Sequence, residues 1–188
     1  MKKLFYITCL SVMFSTSLAS GQDALTPAQF REIVSAPGDA VPLVPRLAKV
    51  PFWTNVVASV VMTYPSGKVV KEEMTETAYT VRGKYVVFTA QSKFYHQPMN
   101  AILTFDAKTS ALKVYGLFGD GHGGDIVTEG TEVYDYANKT YTITSSYWDG
   151  FKETTKGSYT DTEDIAKTLV YKNGTIFMTR EVKTWPVK

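Results

Sequence analysis

Leu169-Val170-Tyr171-Lys172-Asn173-Gly174-Thr175-Ile176-Phe177-Met178 decides how this chain folds. Asn-Gly between two apolar, β-branched runs is the pair a two-residue type I′ turn demands, because both central residues must take positive φ. The stretch predicts a hairpin, and the same style of writing extends upstream to about Asn55. Before it lie Ile165 to Tyr171, the polar run Lys152 to Tyr159 and the turn signal Asp149-Gly150. Within Thr140 to Trp148, Tyr141, Ile143 and Tyr147 share one face while Thr142, Thr144 and Ser146 share the other, so one side is buried and one wet. Further back come Ile126 to Tyr136, Leu112 to Phe118, Met99 to Phe105, Lys84 to Lys93, Lys68 to Val81 and Asn55 to Tyr64. Turn signals separate them: Pro65-Ser66-Gly67, Arg82-Gly83-Lys84, Asp106 to Ser110 and Asn138-Lys139. Counting Thr175 to Trp185, about ten strands result. The fold class is all-β, an antiparallel meander closed into a barrel or a strongly curved sheet.

The segment ahead of the strands has a different character. Leu25-Thr26-Pro27 opens one short helix, with Thr26 as N-cap and Pro27 at the first helical position. Phe30, Ile33 and Val34 recur on one face of it, and the helix is expected to pack across one end of the barrel. Pro37-Gly38 ends it, Pro42 and Pro45 keep the chain extended, and Phe52 and Trp53 read as a hydrophobic plug at the barrel mouth.

The N-terminus has the layout of a secretory signal peptide: basic Lys2 and Lys3, an apolar Leu4 to Phe14, then small residues at Ser17-Leu18-Ala19. The expected organisation is a signal peptide at 1–20, a leader at 21–53 and a barrel domain at 54–188, with cleavage near Ala19 to Gly21 and a periplasmic or secreted destination. Cleavage would change two inferences. The full chain carries 20 Lys and Arg against 18 Asp and Glu, so losing Lys2 and Lys3 leaves 18 against 18. A near-neutral mature chain offers no general basic surface for nucleic acid or anionic lipid. Cys9 leaves as well, which removes thiol nucleophiles, thiolate metal sites and disulfides from consideration. The remainder has no apolar run long enough to span a membrane as a helix.

With these features on one chain, the sequence resembles exported bacterial proteins with a lipocalin-like (calycin-type) barrel. The likeness is carried by Val81-Arg82-Gly83-Lys84-Tyr85-Val86-Val87, by Ile102-Leu103-Thr104-Phe105-Asp106 with Leu112-Lys113-Val114-Tyr115 behind it, and by Arg180 in the apolar stripe of the final strand. The resemblance implies a barrel that holds one small, mostly apolar molecule.

Residue chemistry points to candidates for lining such an interior. Tyr85, Tyr115, Tyr134, Tyr136, Tyr141 and Tyr147 lie on strands and offer an apolar body with a hydroxyl. Of the strand carboxylates Glu72, Glu73, Glu76, Glu129, Glu132 and Asp135, Glu132 is the one expected inside, sharing a face with Ile126, Tyr134 and Tyr136. A buried Glu needs a partner or stays neutral, and Arg180 between Met178 and Val182 is the natural one, paired with Glu132 or receiving a ligand carboxylate.

Catalytic signatures are sparse. The chain contains no Gly-x-Ser-x-Gly elbow, no His-Glu-x-x-His, no phosphate loop and no dinucleotide fingerprint, and no cofactor is implied. His96 sits in a polar loop. In Gly119 to Asp125, Asp120, His122 and Asp125 could converge on a divalent ion, though glycine and aspartate also serve there as plain turn residues. Three readings follow: an exported barrel that binds a small apolar or amphipathic ligand; a filled barrel acting as an accessory protein through its loops or an edge strand; and a metal-dependent hydrolase built on the Asp120/His122/Asp125 loop.

Overall fold

The computed structural model describes residues 25–92, 98–119, 125–146 and 150–187. One helix, α1 (Pro27–Ser35), and a short 3₁₀ turn, η1 (Leu47–Lys49), precede ten strands. These are β1 (Asn55–Thr63), β2 (Val69–Val81), β3 (Tyr85–Ser92), β4 (Met99–Asp106), β5 (Ala111–Gly119), β6 (Asp125–Asp135), β7 (Thr140–Ser146), β8 (Phe151–Tyr159), β9 (Asp164–Lys172) and β10 (Thr175–Pro186). Each pairs antiparallel with its sequence neighbours, and β1 pairs with β10, from Val56 opposite Pro186 to Thr63 opposite Thr179, so the meander closes on itself. Closure pairs every strand on both sides. Among the described residues, therefore, no strand offers the free edge entertained above as an interaction surface.

The turns follow from local chemistry. Asn173 and Gly174 have φ of 50° and 82°, and Arg82 and Gly83 have 56° and 62°, which makes both pairs positive at the two central turn positions. Gly83 meets a second demand: a Cβ there would lie 2.5 Å from the Pro42 carbonyl oxygen, where the leader crosses the turn and Val44 N–H donates to the Gly83 carbonyl at 2.9 Å.

Helix α1 starts with a capping box, in which Gln29 N–H donates to Thr26 Oγ1 at 3.2 Å and Thr26 N–H donates to Gln29 Oε1 at 2.9 Å. Its apolar residues Phe30 and Ile33 pack on Val81, Val87, Ile102 and Tyr115, which point away from the barrel axis. The helix thus lies against the outer wall, over β3 to β6, and not across an end as its sequence suggested. The apolar residues Val87 on β3, Ile102 on β4 and Tyr115 on β5 explain why: these strands are covered on both faces and need an outside partner. Tyr79 Oη donating to the Val34 carbonyl at 2.6 Å and Arg82 paired with Glu32 at 2.8 Å hold the helix in place.

The end of the barrel is closed by the leader. Leu47 is fully buried among Ala78, Val86, Leu103 and Val114, with Val50 and Phe52 beside it. Phe52 meets Phe88 edge-on at 6.4 Å, in keeping with its expected role as a plug. A second inward cluster, including Val60, Met62, Met74, Val170, Met178 and Val182, fills the other half of the interior.

Candidate functional site

Pleating sends alternate residues of every strand inward. On β6 these are Thr128, Gly130, Glu132 and Tyr134; on β7, Tyr141, Ile143 and Ser145; on β9, Asp164, Ala166, Thr168 and Val170. Beneath the Val50–Trp53 plug they leave a cavity of about 130 Å³. Its apolar wall comes from Phe52, Trp53, Phe88, Leu103, Val114 and Ile143, and its polar wall from Glu76, Glu132, Asp164, Tyr134 and Tyr141. No Lys, Arg or His stands among these lining residues.

Burial makes each of the three carboxyl groups hold its proton more tightly, and the charge of Asp164 adds to this for the two glutamates. Burial, then the charge of Asp164, pushes Glu76 up to about 8. Burial also takes Glu132 to about 7, with the Tyr134 hydroxyl working against it and Asp164 adding to it. Asp164 rises to about 6 through burial, offset in part by the Tyr141 hydroxyl, which donates to Oδ1 at 2.8 Å. Burial holds both phenols well above their ordinary range, so Tyr134 and Tyr141 remain protonated donors. Glu132 is only 8% exposed, and its Oε2 has no hydrogen-bond partner. An acceptor left in this way ordinarily costs one to several kcal/mol, roughly, unless a guest or a proton satisfies it.

The tyrosines separate into groups. Tyr134 and Tyr141 line the cavity with ring centroids 5.5 Å apart. Tyr136 lies just beyond β6, 39% exposed, and stacks on Tyr134 at 5.6 Å without lining the cavity. Tyr85 and Tyr115 were expected to face the interior; both instead lie on the outer wall in the cluster under α1. Their positions are odd on strands whose even residues face the axis, and the doubly apolar run Tyr85-Val86-Val87-Phe88 hid that parity. Tyr147 falls outside the described residues.

Arg180 is inside, 1% exposed between Met178 and Val182, but its carboxylate is Glu153 and not Glu132. Its Nη2 lies 3.1 Å from Glu153 Oε2 and 3.5 Å from Thr168 Oγ1. The geometry of a sheared barrel separates the expected pair. Glu132 and Arg180 sit on one ladder row, Glu132–Ile143–Thr155–Thr168–Arg180, four strands apart. With strands about 4.8 Å apart and tilted by roughly 40°, that row climbs about 12 Å along the axis between them. Arg180 therefore belongs to the filled half of the barrel and Glu132 to the cavity.

The other acids divide by parity. Glu72 and Glu76 point inward, Glu73 outward, and Glu129 pairs with Lys113 on the outer side. Asp164 and Glu153 are the inward acids that sequence reading passed over. Asp164 precedes the strand expected to begin at Ile165, yet its even spacing with Ala166, Thr168 and Val170 carried the signal. Of the proposed metal loop, Asp120 and His122 lie outside the described residues, as does His96; the Asp125 carboxylate pairs with Arg31 of α1. Among the described residues no three His, Cys, Asp or Glu side chains gather as metal ligands, and no helix is long and apolar enough to cross a membrane.

Fold and site together define a closed ten-stranded antiparallel meander barrel with one acid-lined chamber at its plugged end. No known protein family is matched by the sequence, and no curated protein matches it. In three dimensions the chain is similar to a protein of unknown function from the DUF3598 family of Nostoc punctiforme, with a TM-score of 0.50 at 8% identity over 78% of this chain. The chain spans 50% of that protein's length. At that identity the likeness speaks for the barrel architecture alone.

Proposed function

We propose that this is an exported binding protein whose barrel takes one small amphipathic molecule into the chamber beneath the Val50–Trp53 plug. The observation that carries this reading is the two-sided lining: aromatic and aliphatic side chains on one wall, and on the other a buried Glu132 whose Oε2 has no partner. A few convergent polar groups in an otherwise apolar concavity are the usual makeup of a ligand site. The volume suits a guest of about benzene's size, since an apolar cavity of roughly 150 Å³ accepts benzene. Export is supported by Lys2-Lys3, the Leu4 to Phe14 run and Ser17-Leu18-Ala19. The lipocalin-like resemblance agrees with this reading, through a meander barrel with a single interior site.

The same volume also supports a second reading. About 130 Å³ falls below the roughly 300 Å³ at which drug-sized ligand sites begin, and Arg180, Glu153, Thr155 and Thr168 occupy much of the remaining interior. A filled barrel acting through its loops is consistent with that. Native mass spectrometry of the protein purified from its own host separates the two. The binding reading expects a small adduct that is lost on denaturation; a bare chain whose Tm moves with none of a panel of benzene-sized compounds would refute it.

A further inference from the structure

Resting on that binding reading, we infer that the guest is a small organic amine, its ammonium held by Glu132 in the field of Asp164 and Glu76 and its apolar body laid against Phe88 and Leu103. The chamber gathers three acids from β2, β6 and β9 and no lining cation to balance them. Of the other two, Asp164 accepts from Tyr141 at 2.8 Å, and Glu76 is half-buried on β2. Glu132 is the exception, nine-tenths buried with Oε2 unsatisfied, and it lines the chamber.

The missing partner is thus a hydrogen-bond donor, and in a site of three carboxyl groups the donor that gains most is a cation. A carboxylate ligand is excluded by the same groups, which would repel it, and Arg180 is paired in the other half of the barrel. A neutral alcohol could satisfy Oε2 but would gain nothing from the other two acids. The tyrosine hydroxyls are already committed to the acids, Tyr141 to Asp164 and Tyr134 to Glu132, which leaves the second Glu132 oxygen for the guest. An inorganic cation lacks a complete set of ligands, as no three acidic or imidazole side chains meet at coordinating distance among the described residues. The apolar wall adds the rest of the shape: a ring or short chain of about benzene's size behind one amino group.

Isothermal titration calorimetry of the full chain with benzylamine, and with benzyl alcohol as the neutral isostere, tests this. At pH 8 benzylamine is expected to bind at least about tenfold tighter than the alcohol, the factor a charge-assisted hydrogen bond supplies. Glu132→Gln should abolish that advantage while leaving the alcohol's affinity within about twofold. The unaltered protein offers a second arm, since lowering the pH to 5 should weaken benzylamine and leave benzyl alcohol unchanged as Glu132, Asp164 and Glu76 take up protons. Benzyl alcohol binding as tightly as the amine would overturn the amine assignment and leave the chamber reading standing. An amine preference that survives Glu132→Gln would also overturn it. Neither compound binding would bring down both.

Discussion

Glu132 concentrates the problem this molecule poses at the scale of one residue. A glutamate on a mixed strand reads as half of a solvated face, and only its parity with Tyr134 marks it as inward. Parity placed it correctly, but its partner could not be read the same way: which inward residues meet depends on the barrel's shear, a quantity no single strand encodes. The same blindness hid Glu153 in a strand that looked polar on both sides, and paired Arg180 with the wrong acid. Glu132 yields a stability prediction whose sign follows from its pKa, raised from 4.5 to about 7 by burial. Between those values the folded chain holds more protons than the unfolded one, so stability falls as pH rises from about 4.5 to 7 and stays lowered above. Glutamine carries no such proton. Glu132→Gln should therefore match the parent near pH 4 and exceed it by on the order of 3 kcal/mol at pH 8.5, measured by urea denaturation. A variant less stable than the parent at both pH values would show that Glu132 is ionised and satisfied in the fold.

At the scale of elements, turn chemistry made the ten strands legible, because Asn173-Gly174, Arg82-Gly83 and Pro65-Ser66-Gly67 admit few conformations. Less legible was the direction in which doubly apolar strands face. Tyr85 and Tyr115 look as suited to an interior as Tyr134 does, and only α1 on the outer wall explains their burial. The β7–β8 pair carries a device visible only in three dimensions: Tyr141 lies opposite Gly157, and a Cβ at Gly157 would sit 2.2 Å from the Tyr141 ring. The glycine lets the ring lie flat over the strand and reach Asp164. Gly157→Ala should displace Tyr141, destabilise the fold by roughly 1–3 kcal/mol and weaken guest binding. Tyr141→Phe, which keeps the ring, should retain stability within about 1 kcal/mol and raise the pKa of Asp164, read by carboxyl carbon NMR. If Gly157→Ala leaves the Tyr141 ring resonances unmoved, the close packing described here is wrong.

For the whole molecule, closure between β1 and β10 encloses an interior whose inward side chains fill one half, around Arg180 and Glu153, and leave a chamber under the leader. The leader is thus part of the site, since Val50 to Trp53 form one of its walls. Barrel, plug and strand count were within reach of the sequence; the chamber's acid lining required the register of all ten strands. The central claim is that this chamber, and no surface of the barrel, receives the guest. Amide chemical-shift mapping of the isotope-labelled full chain during titration with benzyl alcohol tests it most directly. The account predicts shifts gathered at Trp53, Phe88, Glu132, Tyr141 and Asp164. Shifts gathered instead around Tyr85 and Tyr115 beneath α1, or none at saturating concentration, would contradict it.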